Sequence, residues 1–271
     1  MTEPVKYRFH SLEDYLISTS LSIDGQLDDG CGASFPVKGR EIEATVLFSD
    51  ISGFSRRTLD LSPAETLIFV NHFFCWVTAE ALRGMNGIVD KYIGDEFMIV
   101  FSKEFGSEDP FVEAVRVACW MCEQDAWGFC PHIGIASGKV IVGYVGTPVK
   151  YNCSTYGAPV ALAARCAGVK PEKSDETSDG GTIVFPSFEW GERELENVIP
   201  PTRYEGPDGR IIQQPSHWML RPAREVAMKN LPSTQIRELV KTSFWLPSHN
   251  PEQLAKERLR TLQAKGRYWP K

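Results

Sequence analysis

The chain has 271 residues, 42% of them hydrophobic and 24% charged, which is the composition of a globular protein with a substantial core, and this length fits one domain with extensions or two small ones. The net charge is −6 and the pI about 5.5, so the basic footprint of a nucleic-acid-binding protein is missing; a nucleotide is not excluded, because a metal ion can carry the compensating charge. No apolar run approaches the roughly 18 residues of a membrane helix, and MTEPVKYRFHSLEDYL lacks the basic start and apolar stretch of a secretion signal.

The seven cysteines, an odd number, read as reduced thiols in a cytoplasm. Cys119, Cys122, Cys130 and His132 raise the question of a zinc site. Cys119 and Cys122 lie in a run with helical apolar spacing, and a second Cys-x-x-Cys or His pair with ligand spacing is absent. They read as small buried residues instead.

In chain order, a short amphipathic helix is expected over residues 11–18, with Ser11 as cap and Leu12, Tyr15 and Leu16 on one face. SIDGQLDDGCGASFPVKG reads as loop. The apolar, β-branched stretch IEATVLFSDISGF predicts a buried strand ending near Asp50. Ser62-Pro63-Ala64-Glu65 is a capping box with proline at the first helical position. The helix it opens carries Leu67, Val70, Phe74, Val77 and Ala81 at helical spacing, with Ile68, Phe69, Phe73 and Trp76 on its other faces. A helix apolar all round is buried on more than one side, which points to a subunit interface or a deep core position.

GIVDKYI and EFMIVF read as strands joined by a hairpin turn at Gly94-Asp95. A helix over 109–127 follows. HIGIASGKVIVGYVG reads as two strands meeting around Ser137-Gly138, and GAPVALAARCAG as a helix. PEKSDETSDGG is polar and reads as a mobile loop. GTIVFP and SHWMLRPAREVAMKNL look like further strands, and the tail from about Phe244 holds a short charged helix. The division is an N-terminal extension (1–38), a catalytic domain (39–243) and a C-terminal tail helix (244–271). The order β-α-β-β-α-β-β-α-β predicts an α+β fold, a mainly antiparallel sheet layered with helices on a ferredoxin-like plan.

Asp50 ends a buried strand, and Asp95 sits at the tip of a hairpin. Carboxylates at such places can converge above a sheet. Two of them with open coordination positions suit Mg²⁺ or Mn²⁺, and two metals can clamp the attacking and leaving oxygens of an in-line displacement. Alone, either residue is equally explained by turn chemistry. The glycine of the following Ile51-Ser52-Gly53-Phe54 lets backbone N–H groups turn inward as a phosphate nest.

FSDISGF, KYIGDEFMIVF, GIASGKVIVGYVG and YGAPVALAAR, in this order and spacing, resemble the catalytic domain of class III nucleotidyl cyclases, the adenylyl and guanylyl cyclase family, over roughly residues 41–229. The resemblance implies two divalent metals on Asp50 and Asp95 with the Ile51 carbonyl as a further ligand, and a triphosphate held by the backbone of Ile51, Ser52, Gly53 and Phe54. It implies a homodimer with each site built across the interface. Lys91 and Ser154 would meet the base, Arg165 would neutralise charge on the α-phosphate, and Lys229 would bind phosphate. Lys150 is a weaker phosphate candidate and reads better as a solvated loop lysine.

Two positions depart from the family. Ala161 replaces the usual asparagine that orients the ribose, and Ser154 replaces the aspartate that often reads adenine. Serine donates or accepts, so it constrains the base less. A stand-alone cyclase with relaxed base-reading residues resembles the bacterial anti-phage (Pycsar-type) pyrimidine cyclases, so UTP or CTP is favoured over ATP. Rival readings are a diguanylate cyclase, whose signature loop Ile93–Phe97 matches in part, a non-catalytic nucleotide sensor, and a structural interaction protein.

Overall fold

A computed structural model describes residues 7–23, 39–123, 127–147, 150–170, 177–205, 211–214, 217–242 and 251–266. The long strand β1 (Gly39–Asp50) lies at the centre of the sheet, between β4 (His132–Thr147) and β3 (Glu96–Phe101), and β2 (Gly87–Ile93) lies beyond β3. The full order is β10-β11-β6-β4-β1-β3-β2, with β5 (Lys150–Tyr156) on β4 and β9 (Trp218–Leu220) on β11. Here β6 is Thr177–Pro186, β10 is Arg224–Val226 and β11 is Thr234–Thr242. Only the β4–β6 pairing is parallel among the described strands. A two-stranded ribbon of β7 (Thr202–Glu205) and β8 (Ile211–Gln214) stands apart. The 4-1-3-2 order of the first four strands is the ferredoxin-like plan expected from the sequence.

Alternation along β1 and β4 supplies two cores, one on each face of the sheet. Leu47, Ile133 and Ile135 face α3 (Pro63–Trp76) and α4 (Pro110–Glu123), which bury Phe69, Phe73, Phe111 and Val115. Ile42, Ala44, Val46, Phe48, Val140 and Val142 face α1 (Leu12–Ser18) and α5 (Ala158–Ala167). Gly134 allows α5 to lie close: a Cβ there would sit 2.0 Å from the Ala163 carbonyl oxygen. Helix α1, capped by Ser11 as expected, buries Leu12, Tyr15 and Leu16 in this second core. The tail helix α8 (Pro251–Ala264) buries Ala255 and Leu259, with Lys256 reaching Asp60 at 3.2 Å.

Several sequence expectations change. His132–Thr147 is one strand, not two: Ala44↔Gly138 and Thr45↔Ser137 stay in an unbroken ladder, with Gly138 at φ +146°. The second strand of this pair is β5, whose polar sequence KYNCSTY hid it. The capping box opens α3 as predicted, but the buried stripe runs through Phe69, Phe73 and Val77, while Leu67 is 71% exposed. Of the helix expected over 109–127, Pro110–Glu123 is helical, and 124–126 lie outside the described residues. Of the polar run 171–181, Thr177–Gly181 begins β6, and the rest lies outside the described residues. The loop expected over 22–39 also lies almost wholly outside them. Lys229 lies in a turn, because the strand before it ends at Val226.

Candidate active site

Strand pairing brings the two aspartates to one edge of the sheet. Ser49 pairs with Phe97, so the end of β1 lies beside the start of β3, and the Gly94-Asp95 turn that closes the β2–β3 hairpin overhangs Asp50. Gly94 takes φ +65°, the left-handed conformation such a tight turn requires. Burial first, and then the Asp95 charge, push the Asp50 carboxyl up to about 6. Burial raises Asp95 as well. Glu96 is raised by burial and then by both aspartates. Three acidic groups thus share a desolvated corner. Asp50 Oδ1 is buried without a hydrogen-bond partner, and His132 Nδ1 lies 3.7 Å from it.

An orphaned carboxylate oxygen beside a second carboxylate fits a divalent cation, which would relieve both the desolvation and the repulsion. Among the described residues no three His, Cys, Asp or Glu side chains are grouped as a protein-only metal cage. Asp50, Asp95 and the Ile51 carbonyl could share an ion with water or phosphate oxygens, as Mg²⁺ commonly does. Cys119 and Cys122 are buried side chains of α4.

The loop after Asp50 is partly committed already. Ser52 N–H donates to the Phe129 carbonyl at 3.2 Å, and Phe54 N–H donates to the Ile51 carbonyl at 3.2 Å. Two of the four amides expected to face the triphosphate are thus engaged, which narrows the nest around Gly53 (φ +62°). Arg57, 7% exposed, enforces this arrangement. Its guanidinium donates to the Phe129 carbonyl at 3.2 Å and to the Ser52 carbonyl at 3.4 Å, and it stacks 4.9 Å over the Phe69 ring. The sequence offered no sign of this, because an arginine in a polar pair, Arg56-Arg57, reads as solvated.

Lys91 and Ser154 come together within one chain. The Lys91 ammonium donates to Ser154 Oγ, lies 3.2 Å from Asp90 Oδ1, and stands 5.3 Å from the Tyr156 ring centroid. Ser154 itself is fully buried. In this conformation the hydroxyl lies under Lys91 and donates to Asp90.

Arg165 and Ala161 sit one turn apart on the exposed face of α5. Arg165 and Lys229 line one cleft of about 400 Å³ together with Lys170 and Arg224. Such a cleft suits phosphate oxygens. Lys150 begins β5, is exposed, and does not line the cleft.

The family model described as "Adenylate and Guanylate cyclase catalytic domain" matches residues 37–173. The chain belongs to this family, the class III adenylyl/guanylyl cyclase catalytic domains. It is 31% identical over 130 residues to the uncharacterized protein Rv1318c of Mycobacterium tuberculosis, covering 47% of this chain and 24% of that protein. It is 30% identical over 131 residues to Rv1319c of the same organism, covering 47% and 24%. The chain thus spans about a quarter of the length of these relatives. Among solved structures, the adenylyl cyclase CyaB from P. aeruginosa superposes with a TM-score of 0.57 at 19% identity, over 78% of this chain and all (100%) of that one. The guanylate cyclase domain of RhGC from Catenaria anguillulae, solved in complex with GTP, gives 0.55 at 16% identity, over 75% and 100%. These likenesses establish the class III cyclase fold.

Proposed function

We propose that this chain is a nucleotidyl cyclase that converts a nucleoside triphosphate into a 3′,5′-cyclic monophosphate and pyrophosphate. The observation that carries the reading is the corner where Asp50, with its orphaned Oδ1, meets Asp95. Asp50, Asp95 and the Ile51 carbonyl would hold two Mg²⁺ or Mn²⁺ ions. Bound there, such ions would acidify the ribose 3′-hydroxyl and offset phosphate charge. The 3′-hydroxyl gives its proton to solvent water, and its oxygen forms a bond to the α-phosphorus as the bond to the β-phosphate oxygen breaks, so pyrophosphate departs with that electron pair. Arg165 would neutralise charge growing on the α-phosphate, Lys229 would hold phosphate oxygens, the loop Ile51–Phe54 would seat the triphosphate, and Lys91 would donate to the base. Catalysis by these residues is mostly placement and charge neutralisation.

We read the active form as a cytoplasmic homodimer, with Lys91, Arg165 and Lys229 of one subunit completing the aspartate corner of the other. Exposed apolar residues flank both parts: Tyr92 and Ile93 on the β2–β3 hairpin, and Val145, Tyr151 and Tyr156 on β4 and β5. No helix among the described residues is long and apolar enough to cross a membrane.

For the base, we favour UTP or CTP over ATP. Ser154 is buried, so the base would meet the Lys91 ammonium, a donor that suits a pyrimidine carbonyl. The product would then be cyclic UMP or cyclic CMP, a second messenger of the anti-phage type. The test is cyclic-nucleotide formation from ATP, GTP, UTP and CTP with Mn²⁺, for wild type and Asp50→Ala. Pyrimidine products that vanish in the variant are expected. A strong preference for ATP would overturn the base assignment. Nucleotide binding without turnover would favour a non-catalytic sensor, the reading that the alanine at exposed position 161 keeps open.

A further inference from the structure

Strand β2 carries an irregularity next to the base-facing lysine. Val89 pairs with Ile99, but Lys91 pairs with Met98, so Asp90 is an extra residue bulged out of the ladder. In a regular strand, neighbouring side chains point to opposite faces, and Asp90 and Lys91 could not reach the same group. The bulge re-aims them, and both meet Ser154 of β5.

The Asp90 side chain is 0% exposed, yet its carboxylate is well supplied with donors. Ser154 Oγ donates to Oδ1 at 2.8 Å, with Oδ2 at 3.1 Å. Thr155 N–H donates to Oδ2 at 2.7 Å. Lys91 Nζ lies 3.2 Å from Oδ1 and also donates to Ser154. A carboxylate only accepts, so the Ser154 proton is turned inward, and the Ser154 oxygen receives Lys91. Ser154 thereby holds one ammonium proton, and the Asp90 carboxylate pairs with the ammonium charge. The Tyr156 ring stands beside the charge.

We propose that Asp90 is the positioning residue that sets base selectivity. Acting through Ser154, it turns Lys91 from a mobile point charge into an ammonium donor held at one place, which selects a base presenting a carbonyl or ring-nitrogen acceptor there. This rests on the nucleotide-binding reading of the site above. Asp90 also neutralises Lys91, so the base end of the site does not compete for phosphates with Arg165, Lys170 and Lys229 of the cleft. A nucleotide would therefore enter in one orientation.

The test measures displacement of a fluorescent MANT-nucleoside triphosphate by ATP, GTP, UTP and CTP with Mn²⁺, alongside turnover of each. The proteins are wild type, Asp90→Asn, Ser154→Ala and the exchange variant Asp90→Asn/Ser154→Asp. Wild type should discriminate between its best and worst base. Asp90→Asn and Ser154→Ala should each compress that ratio about tenfold, the size of one charge-assisted hydrogen bond. In Asp90→Asn the best substrate should lose kcat while KM holds or falls, because a released Lys91 also grips phosphate. The exchange variant should recover part of the ratio by returning the carboxylate from β5.

A ratio unchanged in both single variants overturns the proposal, as does a wild type that binds all four bases alike. If Asp90→Asn fails to fold, the ratio in Ser154→Ala decides. Selective binding without turnover would sink the cyclase reading alone, whereas absence of binding by any triphosphate would sink both.

Discussion

Asp50 poses the sharpest test, because the same burial that would suit it to a cation makes it a liability without one. In the folded chain its carboxyl rises from an ordinary 3.8 to about 6. For an acid, a raised folded value means the ionised form is disfavoured by folding. Its contribution is therefore harmless below about pH 4, and stability is lost as pH climbs through 6. The rise corresponds to ~3 kcal/mol in full, and with the side chain 33% exposed we discount it by about half for solvent screening. Asp50→Asn should thus stabilise the metal-free protein by ~1–2 kcal/mol at pH 7, an increase of about 3–5 °C in melting temperature for a chain of this size. At pH 4 the gain should vanish. Adding Mn²⁺ should raise the melting temperature of wild type and leave the variant nearly unmoved. Thermal unfolding in chelator, at pH 4 and pH 7, is the assay. A variant no more stable than wild type at pH 7, or equally favoured at both pH values, would refute the account of this corner as a strained anion pair.

Three further outcomes are expected. Arg57→Met should release the Ser52 and Phe129 carbonyls, lowering stability by about 1–3 kcal/mol and raising KM for triphosphate more than it lowers kcat; unchanged urea unfolding and KM would mean the loop holds itself. Gly134→Ala would force a Cβ to within 2.0 Å of the Ala163 oxygen and 2.2 Å of the Ala167 nitrogen, both backbone atoms that cannot swing aside. It should cost about 3 kcal/mol in denaturant unfolding, and a wild-type midpoint would show that α5 is not held as closely as described. Arg165→Ala should lower kcat about 10²–10³-fold with little change in KM, as for removal of a transition-state donor; a loss confined to KM would assign Arg165 to ground-state binding.

Much of this protein follows from local chemistry along the chain. The apolar run to Asp50 had to be a buried strand, the Ser62-Pro63-Ala64-Glu65 box had to start a helix, and Gly94-Asp95 had to turn a hairpin, because each pattern is satisfied by near neighbours alone. The four family motifs named the fold and the candidate residues without any coordinates. Strand β11 escaped notice because Glu238 sits at a core position, tolerable only where Arg221 and Arg224 reach it from distant segments. Arg57, which no sequence motif singles out, is buried because α3 supplies Phe69 and the segment before β4 supplies the Phe129 carbonyl. Ser154 read as a base contact, and only the bulge at Asp90 shows its hydroxyl turned inward under Lys91. Strands and turns are set by residues a few positions apart, whereas the charge and hydrogen-bond partners of a buried polar group are set by whatever the fold brings against it.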